Sequence, residues 1–136
     1  MSIDNSQELQ YFNKDIFPIY LNFFRSFGSR FSISDNVDFN NDVMTIEFLT
    51  YKFVSKHELV FKDGEPRLRV KFETTTIDDV TYFFDIYFDQ HGRFDTRFSE
   101  MLNGYDMEIL RNVSSGYIDK YIADLMFNFF RVNKIS

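Results

Sequence analysis

The stretch HELVFKDGEPRLRVKFETT, residues 57–75, decides the fold, because apolar and polar residues alternate on both sides of a turn signal. Alternation with a period of two is typical of a β-strand with one buried face, and DGEP supplies the Gly and Pro of a turn. We therefore predict a β-hairpin here. The register that keeps one face apolar gives three cross-strand pairs: Phe61 with Leu68, Leu59 with Val70, and His57 with Phe72.

The period of two extends over residues 43–98, and turn signals divide this segment into about five strands. The predicted strands are MTIEFLTYKFV, HELVF, RLRVKFETT, VTYFFDIYF and RFDTRF. Their connections are short, and short links join antiparallel neighbours, so we predict an antiparallel meander. A two-residue loop within residues 77–80 would break the alternation, and we expect a longer loop or a bulge there.

The last hairpin of this segment also has a register that keeps one face apolar. It gives three pairs, namely Phe88 with Phe94, Ile86 with Thr96, and Phe84 with Phe98. The other face then carries opposite charges across the strands. We predict two ion pairs there: Asp85 with Arg97, and Asp89 with Arg93.

Helical periodicity flanks the sheet segment on both sides. Before it, apolar residues recur at three- and four-residue steps over residues 9–27. Pro18 interrupts this helix, so the helix either kinks there or a second helix begins near Asp15 with Pro18 in its first turn. We expect Gly28 to follow the end of the helix in a left-handed conformation.

After the sheet segment we predict short helices before Gly104 and around residues 106–111, and then a long last helix capped by Ser115. The inward stripe of the last helix is Ile118, Ile122, Leu125 and Phe129. Residues 1–136 thus form a single α+β domain, in which a meander of about five strands is flanked by an N-terminal helix and C-terminal helices. One helix covers each sheet face, or both cover one face and leave the second for a partner.

Charge and composition exclude several classes of function. The formal net charge of −6 argues against nucleic acid as a partner, because binding to phosphates needs clustered Lys and Arg, and it favours a basic protein. The absence of cysteine excludes disulfides, thiolate metal sites and thiol nucleophiles. No apolar run approaches the roughly 20 residues of a membrane span, so we predict a protein of the bacterial or host cytosol. Abundant Phe, Asn, Ile and Lys are typical of AT-rich genomes and point to a virus or mobile element.

The segment NVDFNNDVMTIE, residues 36–47, spaces oxygen-bearing side chains like an EF-hand calcium loop. The candidate ligands are Asn36, Asp38, Asn40 and Glu47. The first position lacks a carboxylate, and the residues that follow alternate like a strand where a helix should begin. We therefore favour a polar loop and predict no metal site and no cofactor.

No nucleotide-binding, hydrolase or metalloprotease motif occurs in the chain, which leans against an enzyme. The paired Asp78 and Asp79 fall at a turn, and neither His57 nor His91 accompanies a nucleophile. One alternative is a small-molecule-binding or catalytic domain with a pocket between sheet and helices. Its lining would be Tyr51, Phe72, Tyr82 and His57.

Aromatic residues dominate the apolar content, with 19 Phe and 8 Tyr among 136 residues and no Trp. This is more apolar ring surface than a domain of this size needs for its core, so we expect part of it to bind a partner or a second copy. The predicted anchors are Phe127, Phe130, Phe83 and Tyr87. The sequence therefore predicts a small acidic, non-catalytic protein-interaction protein, such as an inhibitor, immunity factor, adaptor or assembly chaperone.

Overall fold

Antiparallel strands build one sheet in the computed structural model, which describes residues 11–62, 64–96, 105–106 and 115–133. Within these residues there are seven strands: β1 (Val37–Asn40), β2 (Val43–Phe48), β3 (Tyr51–Lys62), β4 (Glu65–Thr75), β5 (Thr81–Phe88), β6 (Arg93–Thr96) and β7 (Tyr105–Asp106). Each strand pairs with the next one in the chain. The flanking helices are α1 (Phe17–Phe31) and α2 (Ser115–Asn133). The α+β class and the antiparallel meander are confirmed.

The strand count differs from the prediction of about five because the chain turns in other places. The predicted strand MTIEFLTYKFV divides at a two-residue turn, Leu49 and Thr50, so that Phe48 pairs with Tyr51. The predicted strand HELVF is not separate but belongs to the 12-residue strand β3. Strand β1 arises within the segment considered as a calcium loop.

The predicted register of the β3–β4 hairpin is wrong by two residues. Leu59 pairs with Leu68, and His57 pairs with Val70. The prediction placed four residues in the turn. In the structure Lys62 pairs with Glu65, so the turn has only two residues. A shift of two residues leaves every side chain on its predicted face, because the side-chain period of a strand is also two.

The register predicted for the β5–β6 hairpin is confirmed where it is described, since Phe88 pairs with Phe94 and Ile86 with Thr96. Phe98 and Arg97 lie outside the described residues. The irregular β4–β5 connection is also confirmed. Its loop has three residues, 77–79, closed by a hydrogen bond from the Thr76 N–H to the Val80 carbonyl oxygen at 2.9 Å.

The N-terminal helical segment is split close to Pro18, as predicted. A π-helical segment, Phe12–Ile16, precedes α1, and Pro18 lies in the first turn of α1. The expectation for Gly28 is wrong, because Gly28 is buried inside the helix and α1 ends only at Phe31. A Cβ atom at Gly28 would overlap the ring of Phe39, so glycine is required here by a close helix–strand contact.

Both helices pack on the same face of the sheet. From α1, the Phe24 and Phe27 rings lie 6.3 and 5.4 Å from the Phe88 ring. From α2, the Phe129 ring lies 5.1 Å from the Phe53 ring. These side chains belong to one continuous cluster of buried residues.

The predicted inward stripe of α2 is confirmed, because its four residues, Ile118, Ile122, Leu125 and Phe129, are all buried. The short helices predicted before α2 fall outside the described residues, except that Asp106 belongs to strand β7. Neither helix in the described part of the chain has the length and apolarity needed to cross a membrane.

Candidate functional site

The sheet face turned away from the helices carries a network of ion pairs. Arg69 of β4 donates from Nε to Asp85 Oδ1 at 2.9 Å and from Nη2 to Asp85 Oδ2 at 3.2 Å. Its Nη1 also donates to Glu58 Oε1 at 3.2 Å. Because the side chain of Asp85 is only 7% exposed, this pair holds a nearly buried charge in place.

A second group of charges lies beside the first on the same face. Glu73 accepts ion pairs from Lys71 at 3.0 Å and from Lys56 at 3.4 Å. The hydrogen bond from Lys71 holds the pKa of the Glu73 carboxyl below its usual value. Arg69, Lys56 and Lys71 are therefore bound to neighbouring acids.

Two of the predicted anchors lie on this charged face, and they differ in exposure. Phe83 is 47% exposed, and the Lys71 Nζ lies 4.3 Å from the centre of its ring. Tyr87 is only 7% exposed, with the Lys62 Nζ 4.3 Å from its ring centre. Phe83 thus offers contact area to a partner, whereas Tyr87 offers very little.

The ion pair predicted between Asp89 and Arg93 does not form. The Asp89 carboxylate instead accepts hydrogen bonds from the backbone N–H of His91 at 2.8 Å and of Arg93 at 3.0 Å. An Asp side chain that bonds the backbone two residues ahead is typical of a turn, so the residue stabilises the β5–β6 connection. Asp85 forms its ion pair with Arg69, and the predicted partner Arg97 lies outside the described residues.

Exposed apolar side chains gather at one end of the sheet. In a meander, alternate connections lie at the same end, so the β2–β3 turn and the β4–β5 loop are neighbours. Leu49 in the turn is 77% exposed, and Ile77 and Val80 of the loop are 101% and 43% exposed. The two hairpin tips are two strand spacings apart, or about 10 Å.

The last part of α2 lies against the same end. The Phe127 ring, 56% exposed, lies 5.6 Å from the ring of Phe48, which precedes the β2–β3 turn. The partly buried Phe130 lies 4.9 Å from Tyr51, which follows that turn. We call Leu49, Ile77, Val80 and Phe127 the apolar end.

Sequence reasoning missed three members of the apolar end, namely Leu49, Ile77 and Val80. Leu49 adopts a φ of +56°, a left-handed conformation that costs a residue with a Cβ about 1–2 kcal/mol. The signal for Leu49 was the pair Phe48 and Leu49, two adjacent apolar residues that break the alternation of the predicted strand. The signal for Ile77 was an isoleucine next to two aspartates in a turn, where an apolar side chain has no core to enter.

The segment considered as a calcium loop, and predicted to be a polar loop, is a tight β-hairpin. Strands β1 and β2 pair directly, and the turn residues Asn41 and Asp42 have φ values of 53° and 62°, as in a type I′ turn. Asp38 and Asn40 are exposed along β1. Asp38, Asn40 and Glu47 are thus spread over two paired strands, with Glu47 on β2. The described residues contain no group of three or more His, Cys, Asp or Glu placed to hold a metal ion.

The four residues proposed to line a pocket are divided between the two helices. The His57 ring lies 6.0 Å from Phe17 and 5.6 Å from Phe24, and both of these belong to α1. The Tyr51 and Tyr82 rings pack instead against α2. Phe72 is fully buried and stacks on Phe84 at 4.9 Å. These contacts use the rings for core packing.

Comparisons of the chain with protein-family models, curated proteins and solved structures give no match. The candidate function therefore rests on the geometry of the surface described above.

Proposed function

We propose that this protein acts by binding another protein through the apolar end and catalyses no reaction. The observation that carries the proposal is the concentration of exposed Leu, Ile, Val and Phe side chains on two hairpin tips and one helix end. At roughly 150–250 Å² for a large side chain, the apolar end exposes on the order of 500 Å². That area is within the range of the largest apolar patch on a typical monomer, and such patches are often functional.

The anchors of this contact would be Phe127 together with Leu49, Ile77 and Val80. Their burial against a partner releases water from apolar surface, which is the main favourable term in protein association. Of the other predicted anchors, the partly buried Phe130 packs beside this end against Tyr51, and Phe83 would add contact area on the sheet face turned away from the helices. Tyr87 is only 7% exposed and would contribute little contact area itself. Its role would be to hold the Lys62 side chain over its ring. An inhibitor, immunity factor, adaptor or assembly chaperone would act in this way.

The overall charge sets the expected kind of partner and location. A net charge of −6 attracts a basic protein at long range and speeds its association at low salt. The absence of cysteine suits a reducing compartment, so we place the activity in the cytosol.

Affinity capture from extracts of the native host tests the proposal. The bait proteins are the wild type, Leu49→Ser/Phe127→Ser at the apolar end, and Ile19→Ser/Phe61→Ser as a matched control, whose two residues are 49% and 64% exposed elsewhere. We expect the wild type and the control to retain the same partner. The apolar-end variant should retain it at least about tenfold less, because each lost anchor costs 1 kcal/mol or more. Equal retention by the two double variants would contradict the proposal.

A further inference from the structure

We infer that the partner segment is a basic amphipathic helix, whose apolar face covers the apolar end and whose Lys or Arg side chains meet acids beside it. The inference rests on the proposed function and deepens it by naming the chemistry of the partner. Three features of the described residues carry it: unpaired acids next to the exposed apolar side chains, the net negative charge of their surroundings, and the spacing of the hairpin tips.

Four exposed acids adjoin the apolar end, and we call Asp35, Glu47, Asp78 and Asp79 the acidic rim. Asp78 and Asp79 share a loop with Ile77, and Glu47 precedes Phe48. The Glu47 N–H donates to the carbonyl oxygen of Asn36 at 2.8 Å. Asp35 directly precedes Asn36 and is therefore close to Glu47. Within the described part of the chain, none of these four carboxylates has a hydrogen bond or an ion pair. They are therefore available to cations from outside.

Two of the four cations that we consider near the apolar end are bound to an acid. Lys56 and Lys71 both bind Glu73, and Lys71 also lies over the Phe83 ring. Lys52 and Arg131 remain exposed. Because Lys56 and Lys71 share the single carboxylate of Glu73, they are counted with it. Five acids then stand against four cations, so the surroundings of the apolar end carry a net charge of −1, the same sign as the charge of −6 for the chain. Electrostatic complementarity thus selects a basic partner over an acidic one.

The spacing of the two hairpin tips suits a helix. Leu49 and Ile77 occupy tips about 10 Å apart. Residues i and i+7 of an α-helix are also about 10 Å apart and lie on the same face. A helix laid across the tips can therefore contact Leu49 and Ile77 together and reach both parts of the acidic rim with its flanking Lys or Arg side chains.

Three synthetic peptides of about 18 residues, or five helical turns, test this inference. They share one leucine face and carry Lys, Gln or Glu at every polar position, and binding to the full chain is followed by fluorescence anisotropy. The expected order of affinity is Lys, then Gln, then Glu, with the Lys peptide at least about tenfold tighter than the Glu peptide. The difference should shrink as salt is raised from about 0.05 to 0.5 M, because these charges are exposed and are screened.

Matched variants locate the binding. Asp78→Asn/Asp79→Asn should weaken the Lys peptide about three- to tenfold and leave the Gln peptide within about twofold. Asp15→Asn/Glu65→Gln makes the same change in charge away from the apolar end and should change the affinity for the Lys peptide by less than about twofold. Leu49→Ser/Ile77→Ser should weaken the Lys and Gln peptides alike, by at least about tenfold.

Several outcomes would overturn the inference. Equal binding of the Lys and Gln peptides would contradict a basic partner. An equal loss of affinity for the Lys peptide in the two charge variants would also contradict it. If host capture still depended on the apolar end, the proposed function would survive that result. Failure of all three peptides to bind would exclude a simple amphipathic helix. A wild-type dimer in sedimentation velocity that Leu49→Ser/Ile77→Ser converts to monomer would show that the occupant is a second copy of this chain.

Discussion

Gly28 lies inside a helix, where glycine is normally unfavourable, and tertiary packing explains why glycine is found there. In the interior of a helix, Gly→Ala usually stabilises by about 1 kcal/mol. At Gly28, however, the added Cβ would overlap the Phe39 ring. Overpacking of this kind costs about 1–3 kcal/mol, so we expect Gly28→Ala to lower the free energy of unfolding by about 1–2 kcal/mol in urea titrations.

Two further variants separate packing from helix propensity at this position. Ser29→Ala changes an exposed neighbour in the same helix and should be neutral or slightly stabilising. Phe39→Leu should reduce the penalty of Gly28→Ala when the two are combined, because the overlapping ring is gone. A penalty that is unchanged in the double variant would show that the close contact is not its cause.

Leu49 shows the opposite conflict, since its backbone conformation suits glycine and its side chain is largely in water. Leu49→Gly should raise the free energy of unfolding of the isolated protein by about 0.5–1 kcal/mol, because it removes the cost of a φ of +56°. Thr50 in the same turn does not have a positive φ, so Thr50→Gly should lower the free energy of unfolding by a similar amount. Urea unfolding measures both. A loss of stability in Leu49→Gly would mean that the leucine side chain contributes to the fold of the isolated chain.

At the scale of elements, one ion pair joins α1 to the β1–β2 turn. Arg25 donates from Nε and Nη2 to the two carboxylate oxygens of Asp42 at 2.8 and 2.9 Å. The hydrogen bond from Arg25 holds the pKa of the Asp42 carboxyl below its usual value. A lowered folded-state pKa contributes stability above the unfolded value of about 3.9, and this contribution is lost as the pH falls through the folded value.

Asp42→Asn tests this pair without straining the turn, because Asn accepts the φ of +62° found at this position. The wild type should exceed the variant in unfolding free energy by a constant margin from about pH 5 to 7, and the margin should shrink below about pH 4. Urea unfolding at a series of pH values measures the margin. Asp38→Asn, at an exposed carboxylate of the adjacent strand, serves as the control. A margin that stays constant down to about pH 2 would contradict the role of the pair.

One side of α2 packs on the sheet and the other side is exposed, so the same substitution can be compared on the two sides. Phe129 is fully buried among rings of β3 and β5, whereas Phe127 is 56% exposed. Phe129→Ala should cost about 3–5 kcal/mol, the usual range for a buried ring. Phe127→Ala should cost less than about 1 kcal/mol in the isolated chain. Thermal and urea unfolding check both values, and equal losses would mean that Phe127 serves the core instead of a partner.

The strand faces could be predicted from the sequence, but only some of the turns could. The alternation of apolar and polar residues assigned Leu59, Val70 and Phe88 to the core face. This assignment is correct although the predicted β3–β4 register is wrong, because the register error is an even number of residues. The turn at Leu49 and Thr50 was not recognised because neither residue is Gly, Asn or Asp. The turn at Asn41 was assigned to a polar loop and not to a hairpin, although consecutive Asn and Asp residues favour the left-handed conformations of a tight hairpin turn.

At the scale of the whole molecule, the sequence predicted surplus ring surface, whereas three of the four residues of the apolar end are aliphatic. Both helices cover one face of the sheet, and the opposite face carries ion pairs centred on Arg69 and Glu73. Helix amphipathicity alone does not determine which sheet face a helix covers, because either face of β5 offers aromatic rings. The exposed apolar residues at the apolar end depend on which connections share that end, a property of the topology and not of any one segment.

An apolar probe checks this distribution on the intact chain. The dye ANS fluoresces on exposed apolar patches, so the folded wild type should bind it. Leu49→Ser/Ile77→Ser/Phe127→Ser should lose more than about half of the signal, while the free energy of unfolding stays within about 1 kcal/mol, because these side chains are exposed. Ile19→Ser/Val43→Ser/Phe61→Ser removes three exposed apolar residues from scattered positions and should keep most of the signal, because the dye needs neighbouring apolar groups. A similar loss in both triple variants would show that the apolar surface is dispersed, and the case for a single binding end would fail.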